Sequence, residues 1–179
     1  MNRKLIFVLS VILAIGLISG IILISESQEP KPEYQITVTN SSLVNFKTFE
    51  FDVLIQGTEE QFELTAYQCA LFVWERLKES DTLSFTYIEG TSDLTILPQA
   101  AFSVDKSGDL PVIAFASLPG SEIINGEQKK LGRFRITNSK GFKSEPILEW
   151  SFKDQLKTII TGKSFRDITV KSQLIVTGE

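Results

Sequence analysis

Short runs of alternating apolar and polar residues recur along the chain from about residue 35 onward. In FEFDVLI, residues 49–55, apolar side chains occupy every second position, and Glu50 and Asp52 lie between them. Because strand side chains point alternately to opposite faces, this pattern predicts a strand with one buried face. Turn-forming residues separate such runs, as is typical of a β-sandwich or barrel. Further strands are predicted at 35–39, 83–88, 110–116, 133–137, 148–152, 165–170 and 173–177.

The segment QFELTAYQCALFVWERLKES, residues 61–80, fits two structures. Apolar residues at positions 70, 73, 74 and 77 have the spacing of a helix. As a strand, residues 64–74 are apolar on both faces, which suits a central strand. Periodicity alone leaves both structures open.

The same segment contains Cys69, the single cysteine of the chain, so no internal disulfide can form. A reactive thiol needs a neighbouring base, and the chain has no histidine. We therefore predict that Cys69 is a small buried side chain.

The lack of histidine also removes the commonest general base and metal ligand at neutral pH. A pair of carboxylates suffices for glycoside hydrolysis, but nothing in the sequence selects a pair, and charges that alternate with apolar residues normally form the solvated face of a strand. We therefore predict that the protein is not an enzyme. The carboxylates considered are Glu59, Glu60, Glu63, Glu149 and Asp154.

An uncharged apolar run, LIFVLSVILAIGLISGIILI, occupies residues 5–24. A spanning helix needs about 20 such residues, whereas the apolar region of a cleavable signal peptide has roughly 7–15. Arg3 and Lys4 precede the run and favour a cytoplasmic N-terminus. We predict a cytoplasmic leader at 1–4, a transmembrane signal anchor at 5–24 and a domain outside the membrane. Cleavage near the serines of residues 25–27 would instead release a secreted domain.

Residues 25–34, SESQEPKPEY, contain two prolines and predict a semi-extended linker before a domain at 35–179. Without Arg3 and Lys4, the 18 Lys and Arg residues fall to 16 against 22 Asp and Glu, a net charge of −6. This balance disfavours nucleic acid or an anionic membrane surface as a partner of the domain.

The stretch DKSGD places Asp105, Ser107 and Asp109 at alternating positions around Gly108. These oxygen ligands suit calcium, although the stretch is shorter than an EF-hand loop and lacks its distant glutamate. Asp93 joins such a site only if the fold brings the two loops together. The alternative is a plain hairpin turn held by aspartate side chains. No other cofactor is predicted.

Three aromatic residues, Trp74, Trp150 and Tyr87, are candidates for stacking on sugar rings. Stacking requires that they line one exposed face. Aromatic residues at alternating strand positions more often belong to the core.

The strand-like stretches resemble, in the same order, the cohesin-like β-sandwich modules of bacterial surface and secreted proteins. The resemblance implies a jelly-roll or immunoglobulin-like sandwich of about nine strands. It also implies docking of a partner, adhesion or scaffolding at the cell surface, and no binding residue of that family matches a position in this chain. The matching stretches, within residues 46–177, are FEFDV, FELTAYQCALFV, TLSFTYIEGTSDL, LPVIAFAS, KKLGRFRITNS, PILEWSF and FRDITV.

These features together predict a non-enzymatic, membrane-anchored extracytoplasmic module that binds a protein partner at the cell envelope. Binding would use a strand face or an added strand at an exposed edge. One alternative is a carbohydrate-binding module that retains polysaccharide. A second is a pilin-like filament subunit, since an apolar N-terminal helix followed by a β-domain is how such subunits are built. The characteristic processing site of pilins is absent, since no glycine precedes the apolar run and no glutamate lies early inside it.

Overall fold

The computed structural model describes residues 32–74, 82–99, 111–153 and 156–177. One compact unit begins at Pro32 and contains all of these residues. The predicted leader, the predicted anchor at 5–24 and most of the predicted linker lie outside them. No helix within the described ranges has both the length and the apolar character that crossing a membrane requires.

The described residues form two β-sheets. Sheet A has the strand order β11-β1-β2-β8-β4, in which only β11 and β1 run parallel. Sheet B is built around β3, with β6 and β7 along one side and β9 and β10 along the other. The strands are β1 (Tyr34–Asn45), β2 (Thr48–Gly57), β3 (Phe62–Trp74), β4 (Leu83–Ile88), β5 (Pro98–Gln99), β6 (Val112–Ser117), β7 (Glu122–Ile124), β8 (Lys129–Asn138), β9 (Ile147–Trp150), β10 (Ile159–Gly162) and β11 (Leu174–Val176), with short 3-10 turns at Lys163–Phe165 and Lys171–Gln173.

The inner faces of the two sheets share one hydrophobic core. Phe134 on β8 and Phe115 on β6 stack with ring centroids 3.9 Å apart, and Phe85 on β4 contacts both rings. Tyr34 at the start of β1 contacts Phe62 at the start of β3, with centroids 5.5 Å apart. These contacts pack sheet A on sheet B, and they confirm the all-β sandwich predicted from the alternation.

The ambiguous segment is a strand as far as the structure describes it. Residues 70–74 belong to β3, so the helical alternative is wrong for them, and residues 75–81 lie outside the description. The pairing with β10 contains one extra residue between Leu64 and Ala66. This bulge shifts the inward-facing positions by one residue. Leu64 before the bulge and Tyr67 after it therefore both enter the core.

The predicted strand at 165–170 is wrong. The chain turns sharply after β10, where the Arg166 N–H donates to the Lys163 carbonyl at 3.3 Å, and Ser164 and Phe165 both have φ of +58°. The return arm is held against β10 by an isolated bridge between Thr161 and Asp167 and by the Ile168 N–H, which donates to the Ile160 carbonyl at 2.9 Å, without forming a regular strand. A two-residue turn of this kind normally contains Asn or Gly, and because Ser164 and Phe165 are neither, no turn was predicted here.

Candidate functional site

The outer face of sheet A is covered by ion pairs between β2 and β8. The strand register places Glu50 beside Arg135 and Asp52 beside Arg133. Arg133 bridges both acids, with Nε 2.9 Å from Glu50 Oε2 and Nη1 3.1 Å from Asp52 Oδ1. Arg135 Nη2 lies 2.6 Å from Glu50 Oε1, and Lys130 Nζ lies 3.2 Å from Asp52 Oδ2. This face was predicted to be solvated, yet Glu50 is 7% and Asp52 2% exposed.

These contacts determine how the two acids titrate. Burial alone would raise the pKa of Glu50, but the hydrogen bonds and charges of Arg133 and Arg135 outweigh it and hold the pKa below its ordinary value. Burial likewise opposes ionisation of Asp52, and hydrogen bonds from Asn40 and Lys130, with the charges of Lys130 and Arg133, lower its pKa. Both groups are therefore ionised acceptors at neutral pH. A general acid at neutral pH needs a raised pKa, so the direction of these shifts does not fit that role.

The sequence contained a signal for this cluster that alternation alone does not use. FEFDV has acids at 50 and 52, and RFRIT has arginines at 133 and 135, each spaced by two. When two strands with opposite charges at the same spacing pair side by side, their charged side chains form ion pairs across the strands. That complementarity predicts the neighbours β2 and β8, and it explains why the charges are buried.

The outer face of sheet B has a different chemistry. Ala70 on β3 and Val112 and Ala114 on β6 form a buried apolar cluster there, and Phe72 and Leu156 pack against it. The register pairs Ala70 with Ala114 and Phe72 with Val112, so these side chains share one face. Sheet B is therefore apolar on its outer face as well as its inner one, as the two-sided character of residues 64–74 indicated.

An exposed apolar pair lies beside this cluster, where β3 and β9 meet. Trp74 is 51% and Ile147 69% exposed, and the two are cross-strand neighbours. The Trp74 indole Nε1–H donates to Glu149 Oε2 at 2.9 Å, and Glu149 is the cross-strand neighbour of Phe72. This hydrogen bond satisfies the indole donor and fixes the plane of the ring. We call Phe72, Trp74, Ile147 and Glu149 the Trp74 surface.

The three predicted stacking residues do not share a face. Trp74 is exposed, whereas Trp150 is buried in the core and donates its Nε1–H to the Ile175 carbonyl at 3.1 Å. Tyr87 is half-buried at the end of β4, with its ring 5.8 Å from that of Phe134. The proposed sugar platform required exposure, and Trp150 does not meet that condition because its strand position faces inward.

Tyr87 also lines a surface groove of about 490 Å³ together with Leu97, Pro98 and Glu89. Its ring lies over Gly132, where an added Cβ would be 2.8 Å from Tyr87 Cε2. The ring therefore packs along the backbone of β8 and presents only part of its surface to the groove.

Cys69 lies in the core, as predicted. It is fully buried on β3, and burial raises the pKa of its thiol. A neutral thiol without access to solvent is neither a nucleophile nor a metal ligand.

The remaining candidate carboxylates are dispersed. Glu59 and Glu60 are exposed in the turn after β2, Glu63 accepts a hydrogen bond from Ser121 Oγ at 2.7 Å, and Glu149 belongs to the Trp74 surface. Asp154 lies outside the described residues. The described four lie at three places in the fold, namely the turn after β2, β3 and β9.

The predicted calcium ligands Asp105, Ser107 and Asp109 also lie outside the described residues. Asp93, the possible addition to that site, accepts a hydrogen bond from the Lys130 N–H at 2.7 Å and holds its own loop against β8. In the ranges that the structure describes, no group of three or more Cys, Asp or Glu side chains is arranged to hold a metal ion.

Comparisons with known proteins concern the fold. No model of a known protein family matches the chain, and no curated protein matches its sequence. Among solved structures, the chain is similar to the second type II cohesin module from the cellulosomal adaptor ScaA scaffoldin of Acetivibrio cellulolyticus. The TM-score is 0.44 and the sequence identity 8%, over 82% of this chain and 93% of that module. The likeness is one of backbone, and no residue role is carried over from it.

Proposed function

We propose that the chain is a non-enzymatic, membrane-anchored extracytoplasmic module that docks a protein partner through the Trp74 surface. The observation that carries this proposal is the exposed pair of Trp74 and Ile147 on neighbouring strands, with the indole fixed by Glu149. Residues at the centre of protein interfaces are enriched in tryptophan, and a rigid aromatic ring loses little conformational entropy on binding.

The difference between the two outer faces supports this location. On sheet A the acids of β2 are satisfied by Arg133, Arg135 and Lys130. On sheet B the apolar cluster around Ala70 continues through Phe72 to two large side chains that remain in contact with water. Removing those side chains from water is favourable at about 25 cal/mol per Å² of apolar surface, whereas the ion pairs of sheet A offer no such gain.

A protein partner fits the Trp74 surface better than a sugar does. A sugar site combines an aromatic platform with polar groups that bond the hydroxyls. Here the neighbours of Trp74 are Ile147 and Phe72, and the carboxylate of Glu149 already accepts the indole N–H. The apolar surroundings therefore favour an apolar side chain of a protein, with Trp74 as its anchor.

The anchoring part of the proposal rests on residues 1–24. An apolar run of spanning length after Arg3 and Lys4 favours retention in the membrane with the domain outside. The mass of the mature chain extracted from membranes tests this directly. A full-length mass in the membrane fraction supports an anchor, and a mass that begins near residue 28 in the soluble fraction refutes it.

Docking is tested by site-specific photocrosslinking from position 147 of the full chain in its own cell envelope. We expect one discrete crosslinked protein, which disappears when Trp74→Ala is added. A photoreactive residue at position 123 is the matched control, because Ile123 is 50% exposed on sheet B but belongs to β7. Equal crosslinking from both positions, or crosslinking unaffected by Trp74→Ala, would refute the proposal. Retention on insoluble polysaccharide that Trp74→Ala abolishes would instead assign a carbohydrate-binding module.

A further inference from the structure

A second exposed surface lies at the end of the sandwich opposite Tyr34, where two loops are joined. The turn between β1 and β2 comprises Phe46 and Lys47, and residues 139–146 connect β8 to β9. The Phe142 N–H donates to the Phe46 carbonyl at 2.7 Å, and the Asn138 N–H donates to the Lys47 carbonyl at 2.9 Å. Phe142 itself is buried, with its ring 6.4 Å from that of Phe49. The core therefore holds both loops in a single arrangement.

Phe46 is exposed even though its ring is tightly packed on one side. It is 65% exposed, and its inner face lies on the backbone of Gly141. A Cβ at position 141 would lie 2.5 Å from Phe46 Cδ2, and Gly141 has φ of +89°, a conformation that other residues rarely adopt. The glycine thus fixes the ring with its outer face toward solvent. Val44 is also exposed, on the strand that leads into the turn.

The two joined loops carry a net positive charge, unlike the chain as a whole. Lys47, Lys140 and Lys143 are exposed there, and Glu145 is the one acid in these two loops, which leaves a local net charge of +2. The whole chain has a net charge of −4. Within the described part of the chain, none of the three ammonium groups forms an ion pair. Lys47 Nζ lies 5.4 Å from the centroid of the Phe46 ring.

We propose that this end surface, formed by Val44, Phe46, Lys47, Lys140 and Lys143, docks an acidic segment of a protein that also carries an apolar side chain. The apolar side chain would pack on the outer face of Phe46, and the carboxylates would pair with the lysines. In many protein interfaces, an aromatic side chain is buried by the partner, and oppositely charged residues of the two proteins pair around it.

The short range of electrostatic attraction in salt favours a protein segment over an anionic bilayer as the partner of the end surface. Charges are screened beyond a Debye length of about 8 Å at physiological salt, so a short segment is attracted by the lysines of the end surface. A bilayer extends beyond those loops and also meets the acidic remainder of the domain. The end surface shares no residue with the Trp74 surface, so this proposal does not depend on that one.

The test uses a displayed library of random peptides, selected on the full chain in a zwitterionic detergent. We expect the selected peptides to be enriched in Asp and Glu next to a large apolar residue. Their binding should weaken about tenfold in Phe46→Ser, the loss expected of one interface anchor worth about 1.4 kcal/mol. Peptide binding should weaken similarly in the double variant Lys140→Glu and Lys143→Glu, and it should lose most of its salt dependence there.

Two matched variants separate this site from others. Phe165→Ser removes a phenylalanine of similar exposure, 57%, that lies between Lys163 and Arg166 at another turn, and Trp74→Ala removes the anchor of the first proposal. Both should leave peptide binding unchanged. Retained binding by Trp74→Ala together with a failed crosslinking test would refute the proposed function while supporting the end surface.

Several results would overturn the inference. These are selected peptides without acidic enrichment, equal binding to Phe46→Ser, and no selection above empty micelles. Binding of the chain to phosphatidylglycerol vesicles, but not to phosphatidylcholine vesicles, that is lost in Phe46→Ser would assign the surface to a membrane instead. Thermal unfolding of each variant confirms that a lost signal reflects the surface rather than the fold.

Discussion

Removal of Arg133 tests whether the ion pairs on sheet A stabilise the fold. The substitution Arg133→Met keeps most of the side-chain length and removes two charged hydrogen bonds, at 2.9 Å to Glu50 and 3.1 Å to Asp52. Each acid stays buried, but Glu50 keeps Arg135, and Asp52 keeps Lys130 and Asn40. The loss should therefore be smaller than the 3–5 kcal/mol or so that follows complete removal of a buried partner.

We expect the free energy of unfolding to fall by about 2 kcal/mol, since hydrogen bonds to charged groups contribute about 1.5–3 kcal/mol each and Arg133 itself is partly in water. For a domain of this size the midpoint of thermal unfolding should drop by about 4–8 °C. Arg135→Met is the control, because Arg135 contacts only Glu50 of the two acids and has the more exposed side chain, 46% against 28%. It should cost about 1 kcal/mol or less.

The pH dependence gives an independent check. Glu50 and Asp52 have pKa values held below their ordinary 4.5 and 3.8, so the folded state binds these protons more weakly than the unfolded state does. Their contribution to stability is fully present above those ordinary values and is lost as the pH falls through the folded values. The difference between wild type and Arg133→Met should therefore narrow in acid. Urea unfolding followed by circular dichroism measures both effects. A loss in Arg133→Met no larger than in Arg135→Met, or a difference that widens below pH 4.5, would refute this account.

Three further predictions concern packing and backbone strain. Gly132→Ala should lower the free energy of unfolding by about 1–3 kcal/mol, because the added Cβ would contact the Tyr87 ring. Much of this loss should disappear in a Tyr87→Ala background. An equal loss in both backgrounds would contradict the prediction. Phe165→Asn should raise the midpoint of thermal unfolding by about 2–4 °C, because the left-handed backbone conformation costs a bulky residue about 1–2 kcal/mol and Asn adopts it more readily. A lower midpoint would contradict this prediction. Cys69 should react with a thiol reagent only after unfolding, and rapid labelling of the native chain would show that β3 is accessible.

The alternation of apolar and polar residues predicted the regular part of the fold, because it arises wherever one face of a strand packs in the core. Residues 49–55 and 83–88 lie in β2 and β4 with the expected apolar positions buried, except Tyr87, which is half-buried. It failed where the backbone departs from regular pairing. The bulge near Thr65 shifts the inward positions of β3, and the turn at Ser164 and Phe165 replaces a predicted strand. Bulges and turns depend on pairing with distant strands, which local sequence does not contain.

The candidate site was only partly predictable, for a similar reason. The local sequence does not distinguish Trp74 from Trp150, because both are tryptophans in alternating runs. Trp150 is inside because its strand pairs Leu71 with Trp150, and Trp74 is outside because it is at an outward position near the end of β3. Ile147, the partner of Trp74, was predicted by no motif, since it becomes part of a surface only through that pairing.

The two exposed surfaces differ in how their aromatic anchors are held, and this difference determines how each should respond to mutation. Trp74 is oriented by one hydrogen bond from its own indole to Glu149, so Glu149→Gln should preserve its position and Glu149→Ala should release it. Phe46 has no polar group, and its orientation depends on the absence of a side chain at Gly141. Gly141→Ala should therefore displace the Phe46 ring and weaken peptide binding, with every lysine of the end surface retained. Binding unchanged in Gly141→Ala would mean that charge alone, and not the fixed ring, selects the partner.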